Sequence, residues 1–281
     1  MKVLRTVVDV RAWRAGAGRV GFVPTMGALH AGHLSLVERA VRETDAAIAS
    51  IFVNPTQFGP GEDFAAYPRR ETEDVALLEA HACATAFVPP VAEIYPPGDA
   101  TRVTPGPIAA PLEGAARPGH FVGVATVVAK LLAIVRPDVA FFGQKDFQQL
   151  RVLQAMARDL RFGADIVGCP IVREPDGLAL SSRNAYLTPE QRRDALVLSR
   201  GLFAARALWE RGERDPGVLR QCVRDLAGGG VALEYVSVAD PLTLAELAAP
   251  GESVVISLAA RVGTARLIDN VLLGMDLADL H

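Results

Sequence analysis

A chain of 281 residues, half of them hydrophobic and 22% charged, is long enough for a main domain with its own core and a smaller second one, and too apolar to be intrinsically disordered. Its formal net charge of −3 supplies no broad cationic field, which argues against general attraction to nucleic acid or anionic lipid and leaves any anion site to local chemistry. The cysteines Cys83, Cys169 and Cys222 form no CxxC pair, so free thiols in a reducing, cytoplasmic setting are expected rather than a zinc site or a redox couple.

Arg5, Asp9 and Arg11 interrupt the start before a signal-peptide core can form, and no export is predicted. The first predicted strand is Arg19-Val20-Gly21-Phe22-Val23-Pro24, short, apolar and ended by proline. It leads into the turn Pro24-Thr25-Met26-Gly27-Ala28-Leu29-His30-Ala31-Gly32-His33, after which Leu34, Leu36, Val37, Ala40 and Val41 follow helical spacing. A helix is therefore expected from about Gly32 or His33. A strand-to-helix turn exposes backbone N–H groups to the positive end of the helix dipole, which favours phosphate. His30 and His33 can add N–H donors without a permanent charge. Taken alone, an HxxH is more often a packing or capping feature, and a zinc site would need a further ligand, with distant His120 the remaining candidate.

Ala46 to Val53 reads as the next strand and delivers Asn54-Pro55-Thr56-Gln57 to the same edge of the sheet. The neutral amides Asn54 and Gln57 can hold a carboxylate or hydroxyl without quenching a nucleophile, or can simply bond their own turn. A helix from Glu71 to His81, a short strand at Ala86 to Val88 and a helix from Val122 to Val135 follow. The last is apolar but contains Lys130 and is flanked by His120 and Arg136, too short and polar for a membrane span and expected to be buried. Val139 to Phe142 returns to strand, Asp146 to Leu160 to helix, and Ile166 to Val172 to strand. Between them Lys145 can balance phosphate charge, while Asp146 can cap the helix or touch a ligand.

This alternation predicts an α/β fold, a parallel sheet with helices on both faces. From about residue 175 the pattern becomes helices (Pro189 to Glu213, Val218 to Leu226) and then strands near 233–238, 253–258 and 265–270, which predicts a smaller α+β C-terminal domain. The expected boundary is 1–175 against 176–281, with Glu174-Pro175-Asp176-Gly177 as a hinge turn. Just past it, Ser181-Ser182-Arg183 offers two hydroxyls and a guanidinium, an oxyanion clamp or a polar loop. Arg39, Arg42, Arg192 and Arg193 are expected on solvated helix faces.

In this order, PTMGALHAGH, FVNPTQFG, EGAARPGHFVGV, FFGQKDFQQL and VREPDGLALSSRN resemble the pantothenate synthetase family from Gly21 to Leu273. The resemblance implies a Rossmann-type nucleotidyltransferase domain, a C-terminal lid and a homodimer. It implies ATP with Mg2+ as cofactor, pantoate and β-alanine as substrates, a pantoyl-adenylate intermediate, and pantothenate, AMP and pyrophosphate as products, with neither nucleic acid nor membrane as partner. His30, His33, Lys145 and Arg183 would be catalytic. ATP would be bound by these four with Ser181 and Ser182, and by Met26, Gly143, Asp146 and Val172. Pantoate would be held by Pro24, Met26, Asn54, Gln57 and Gln149, with Tyr67 and Arg117 nearby in roles left open. The resemblance assigns no protein ligand to the metal. Phe147, where many members have tyrosine, and Cys169, where an aliphatic residue is common, depart from the pattern.

Overall fold

The structure, a computed structural model, describes residues 1–62 and 64–280. In chain order these carry β1 (Lys2–Leu4), α1 (Val7–Ala15), β2 (Val20–Thr25), α2 (Ala31–Glu43), β3 (Ala46–Ile51), α3 (Glu71–Ala80), β4 (Thr85–Phe87), α4 (Val91–Ile94), α5 (Glu113–Ala116) and α6 (His120–Val135). Then come β5 (Val139–Gly143), α7 (Phe147–Asp159), β6 (Asp165–Cys169), α8 (Pro189–Glu210), α9 (Pro216–Leu226), β7 (Val231–Ala239), β8 (Val254–Val262) and β9 (Ala265–Leu273). Among the described residues, no helix is long and apolar enough to cross a membrane.

The chain divides into two compact units, one of residues 1–143 and 149–169, the other of 144–148 and 170–280. In the first, six parallel strands lie in the order β1-β4-β3-β2-β5-β6. Strand order reverses at β2, flanked by β3 on one side and β5 on the other, and in open α/β sheets ligands bind outside the carboxyl ends of strands at such a switch point. The turn Pro24–His33 leaves from that end of β2. Val23, Val37, Ala40, Ala49, Leu78 and Phe141 pack together in the core beneath it. Helix α6 is buried on nearly all sides, as its unbroken apolar run requires.

Two elements carry no periodic signal. β1 is three residues with an exposed-leaning pattern, and α1 buries only Val10 behind its Thr6 cap, so neither offers a period to detect. The strand expected through Val172 ends at Cys169, because Pro170 has no N–H to continue a ladder.

In the second unit, β7-β8-β9 form an antiparallel sheet. Leu202 of α8, Leu219 of α9, and Ile256 and Leu258 of β8 are fully buried in its core. At roughly 1.5–3 kcal/mol for each such side chain, this small sheet acquires the packed apolar face that three strands need for stability. Helix α8 begins in a Thr188–Gln191 capping box with Pro189 in its first turn, a start signal that combines reciprocal capping with a preset φ.

Candidate functional site

The phosphate-loop candidate of the first unit is shaped by two residues with positive φ, Gly27 at 85° and Ala28 at 50°. Thr25 Oγ1 donates to Ser50 O at 2.6 Å and accepts the Gly27 N–H at 3.2 Å. The next two N–H groups, of Ala28 and Leu29, both end on the carboxylate of Asp74 of α3, at 2.9 and 2.8 Å. A Cβ at Gly27 would stand 2.8 Å from Asp74 Oδ2 and 3.1 Å from Ile51 Cγ2, so the turn requires glycine there on steric as well as conformational grounds. Burial pushes the Asp74 carboxyl up, against the opposing pull of the two backbone N–H groups. Asp74 has no signature in the sequence. In the run Glu71-Thr72-Glu73-Asp74 a buried acid and a solvated one look alike.

His30 is the N-cap of α2, its Nδ1 accepting the Gly32 N–H at 3.2 Å. Capping and phosphate binding are therefore complementary roles. An Nδ1 that accepts carries no proton, so the neutral ring holds its proton on Nε2, where it can be donated. The His33 ring lies 4.1 Å from that of His30, tilted by 32°. The first turn of α2 contains no acidic side chain, and the positive end of a helix dipole favours an anion.

The amide candidates form one hydrogen-bonded chain. Asn54 is buried; its Oδ1 accepts Tyr95 OH at 2.8 Å and Thr56 Oγ1 at 3.0 Å. Its Nδ2 donates to Gln57 Oε1 at 3.0 Å and to Gly123 O at 3.2 Å. Gln57 then presents its NH2 end, which meets Met26 Sδ at 3.0 Å. Both ends of the Asn54 amide are engaged inside the protein, so any influence of Asn54 on a ligand held by Gln57 would pass through Gln57. Tyr95 starts this chain and is invisible to sequence reading, because a lone tyrosine about forty residues downstream carries no local signal. On the roles that the resemblance implies for Gln57, replacing Tyr95 with phenylalanine is expected to raise the KM for pantoate several-fold, about 1 kcal/mol for a lost hydrogen bond, while the KM for ATP stays put. Equal changes in both constants would overturn that chain of influence.

Arg117 grips Glu62 with two bonds of 2.7 Å and donates to His120 Nε2 at 3.0 Å. Since arginine only donates, His120 must carry its proton on Nδ1, which donates to Gln57 O at 2.9 Å. Burial, aided by the Arg117 charge, holds the His120 pKa down. Both ring nitrogens are thereby used, which removes His120 as a zinc ligand. The hydrogen bonds from Arg117 hold the Glu62 carboxyl at about 2. Of the remaining first-unit candidates, Pro24 lies in β2 opposite Ser50, Gly143 ends β5 and Gln149 lies in α7. Tyr67 is buried edge-on to Phe58.

In the second unit, Lys145 occupies a 3-10 turn, Gln144–Asp146, ahead of α7 rather than α7 itself. Its Nζ is 3.9 Å from Asp146 Oδ2. Ser181 caps a second 3-10 turn, Ser182–Tyr186, its Oγ accepting the Arg183 N–H at 3.3 Å. Val172 lies partly buried just ahead of this segment. Asn184 ties the turn to Glu174 Oε1 at 2.9 Å and Ala179 O at 3.0 Å.

Two arginines depart from the solvated role expected of them. Arg192 bonds both Glu174, at 2.6 Å, and Asp176, at 2.7 Å, because the turn at 174–177 brings two acids to the start of α8. In the first unit Arg39 donates to Gly168 O at 2.9 Å and covers the Phe141 ring, a position its apolar stem allows.

The profile of the pantoate-beta-alanine ligase family matches residues 2–272. The chain is 55% identical over 276 residues to a pantothenate synthetase of Roseiflexus sp. (strain RS-1), covering 97% of this chain and 99% of that protein. Its structure is similar to the crystal structure of pantothenate synthetase from Thermus thermophilus, with a TM-score of 0.92, 48% identity, and 96% and 99% of the two chains covered. It is also similar to pantoate-beta-alanine ligase from Francisella tularensis complexed with beta-gamma ATP and beta-alanine, with a TM-score of 0.80, 35% identity, and 99% of each chain covered.

Proposed function

Because the chain belongs to the pantoate-beta-alanine ligase family, we propose that it condenses pantoate with β-alanine, with cleavage of ATP, through a pantoyl adenylate. The observation that supports this reading is the His30-capped start of α2, whose first turn has no acidic side chain, in the same unit as the Gln57 amide bonded to Asn54.

In the first step a carboxylate oxygen of pantoate attacks the α-phosphorus of ATP, a P–O bond forms, and pyrophosphate departs with the electron pair of the broken bond. The acid is already ionised at neutral pH, so no general base is required. What the step needs is placement and charge balance on the leaving group. We assign placement of pantoate to Gln57 and Gln149 with Pro24 and Met26, and phosphate binding to His30, His33, Lys145, Ser181, Ser182 and Arg183. Gly143 and Asp146 are assigned to the nucleoside, with Met26 and Val172 also at the ATP site. In the second step the neutral β-alanine nitrogen attacks the acyl carbon, AMP leaves, and the nitrogen loses a proton.

Magnesium binds through phosphate oxygens and one or two carboxylates while keeping several waters. The exposed Asp146 beside Lys145 suits that role, and the ion would neutralise phosphate charge. The reading includes a homodimer, on the strength of the family alone, and a cytoplasmic location, supported by three free cysteines of which Cys83 and Cys169 are buried.

The decisive assay is exchange of labelled pyrophosphate into ATP with pantoate supplied or omitted. Exchange is expected only with pantoate, and no β-alanine should be needed. Acid-independent exchange, or ATP binding with no exchange at all, would overturn the proposed reaction.

A further inference from the structure

Two adjacent buried polar residues on β9, Asp269 and Asn270, each 3% exposed, have no part in the chemistry above. A buried polar side chain costs stability unless it is bonded, and these two commit their bonds to particular partners. Asp269 takes the Arg173 guanidinium at both oxygens, at 2.7 and 2.8 Å. Arg173 also donates to Gly177 O at 3.1 Å and forms an isolated bridge with Ala179, which fixes the base of the turn running into Ser181-Ser182-Arg183. Asn270 Nδ2 donates to Gln144 O at 2.9 Å and Lys145 O at 3.0 Å, while its Oδ1 accepts Gln144 Nε2 at 3.2 Å. The Asn270 N–H closes the pair by donating to Asp269 Oδ1 at 2.7 Å.

We propose that Asp269 and Asn270 are positioning residues for adenylate formation: one strand sets both the backbone of Lys145 and the approach to Ser181–Arg183. The proposal rests on the reading that Lys145 and Arg183 act on ATP phosphates. A lysine carries its charge on a flexible four-carbon stem, so its reach is only as well defined as its Cα. Asn270 holds the two successive carbonyls, of Gln144 and Lys145, that bracket that Cα. A misplacement near 1 Å can cost about 10²-fold in rate.

The test is Asn270→Ala in the full chain, with Asn270→Ser as the milder variant should the first fail to fold. Pantoate-dependent pyrophosphate exchange is expected to lose about 10²-fold in kcat, with the KM for ATP altered much less. In a Lys145→Ala background the same substitution should add little, whereas independent, additive losses would overturn the proposal. Amide hydrogen exchange of residues 144–148 should quicken in the Asn270 variant; unchanged protection overturns the proposal whatever the kinetics. Near-normal turnover of Lys145→Ala alone, together with lost protection in Asn270→Ala, would instead overturn the assignment of Lys145 and the catalytic half of this inference.

Discussion

Alanine in place of Lys145 is expected to reduce pantoate-dependent exchange of pyrophosphate into ATP by about 10²–10³-fold, the loss seen when one preorganised donor to developing charge is removed. Stability should scarcely change. The Lys145 ammonium makes one loose ion pair with a half-exposed carboxylate, 3.9 Å away, and pairs of that kind contribute about 0–1 kcal/mol. Turnover and stability therefore separate in this variant, which makes it a direct probe of chemistry. His33→Ala should fall into the same kinetic class. Near-normal exchange by either protein, measured beside an unshifted thermal unfolding curve, would sink the role assigned to that residue.

Asp74→Ala is expected to fail on both counts at once. Two backbone N–H groups, of Ala28 and Leu29, lose their acceptor, at about 1–3 kcal/mol each when left unsatisfied. Ala28 loses the bond at its N–H while sitting at positive φ, a conformation that is costly for a residue with a Cβ. The turn should relax, and with it the entrance of α2 that carries His30 and His33. Urea unfolding should show a loss of about 2–6 kcal/mol, and exchange should drop by about 10²-fold through misplacement alone. Retained kcat in a protein that merely melts earlier would reduce Asp74 to a structural residue.

The two variants mark what can and cannot be read from the sequence. Lys145 stands out as a candidate because it follows an apolar strand within a motif, and His30 and His33 because glycines and a strand-to-helix turn surround them. The parallel sheet is legible from the apolar runs of β2 to β6, although the last ends at Cys169, short of the expected Val172, and β1 leaves no signal. Asp74, Tyr95 and Asn270 are not. Each acts on a partner far away in the chain, and helical or strand periodicity records only which face a residue occupies. Arg192 and Arg39 defeat the pattern for the same reason, since a charged residue at a helix surface looks identical whether it meets water or a buried carbonyl. The amide of Asn54 shows a subtler limit. Its type suggests direct contact with a ligand, and nothing in the local sequence shows that both ends of the amide bond inside the protein.

The path of the backbone bears on how such an enzyme can be altered by recombination. Residues 144–148 belong with the C-terminal unit although they are bracketed in the chain by β5 and by α7, both largely of the other unit. Over the described residues the polypeptide therefore passes between the units three times rather than once. A gene cut at the codon for Cys169 would leave Lys145 on one fragment and its Asn270 anchor on the other. Exchange of C-terminal cassettes between homologues is thus constrained at a five-residue island, 144–148, far upstream of the junction. Grafts that match Asn270 to its own Gln144–Lys145 turn should outperform those chosen for junction similarity alone.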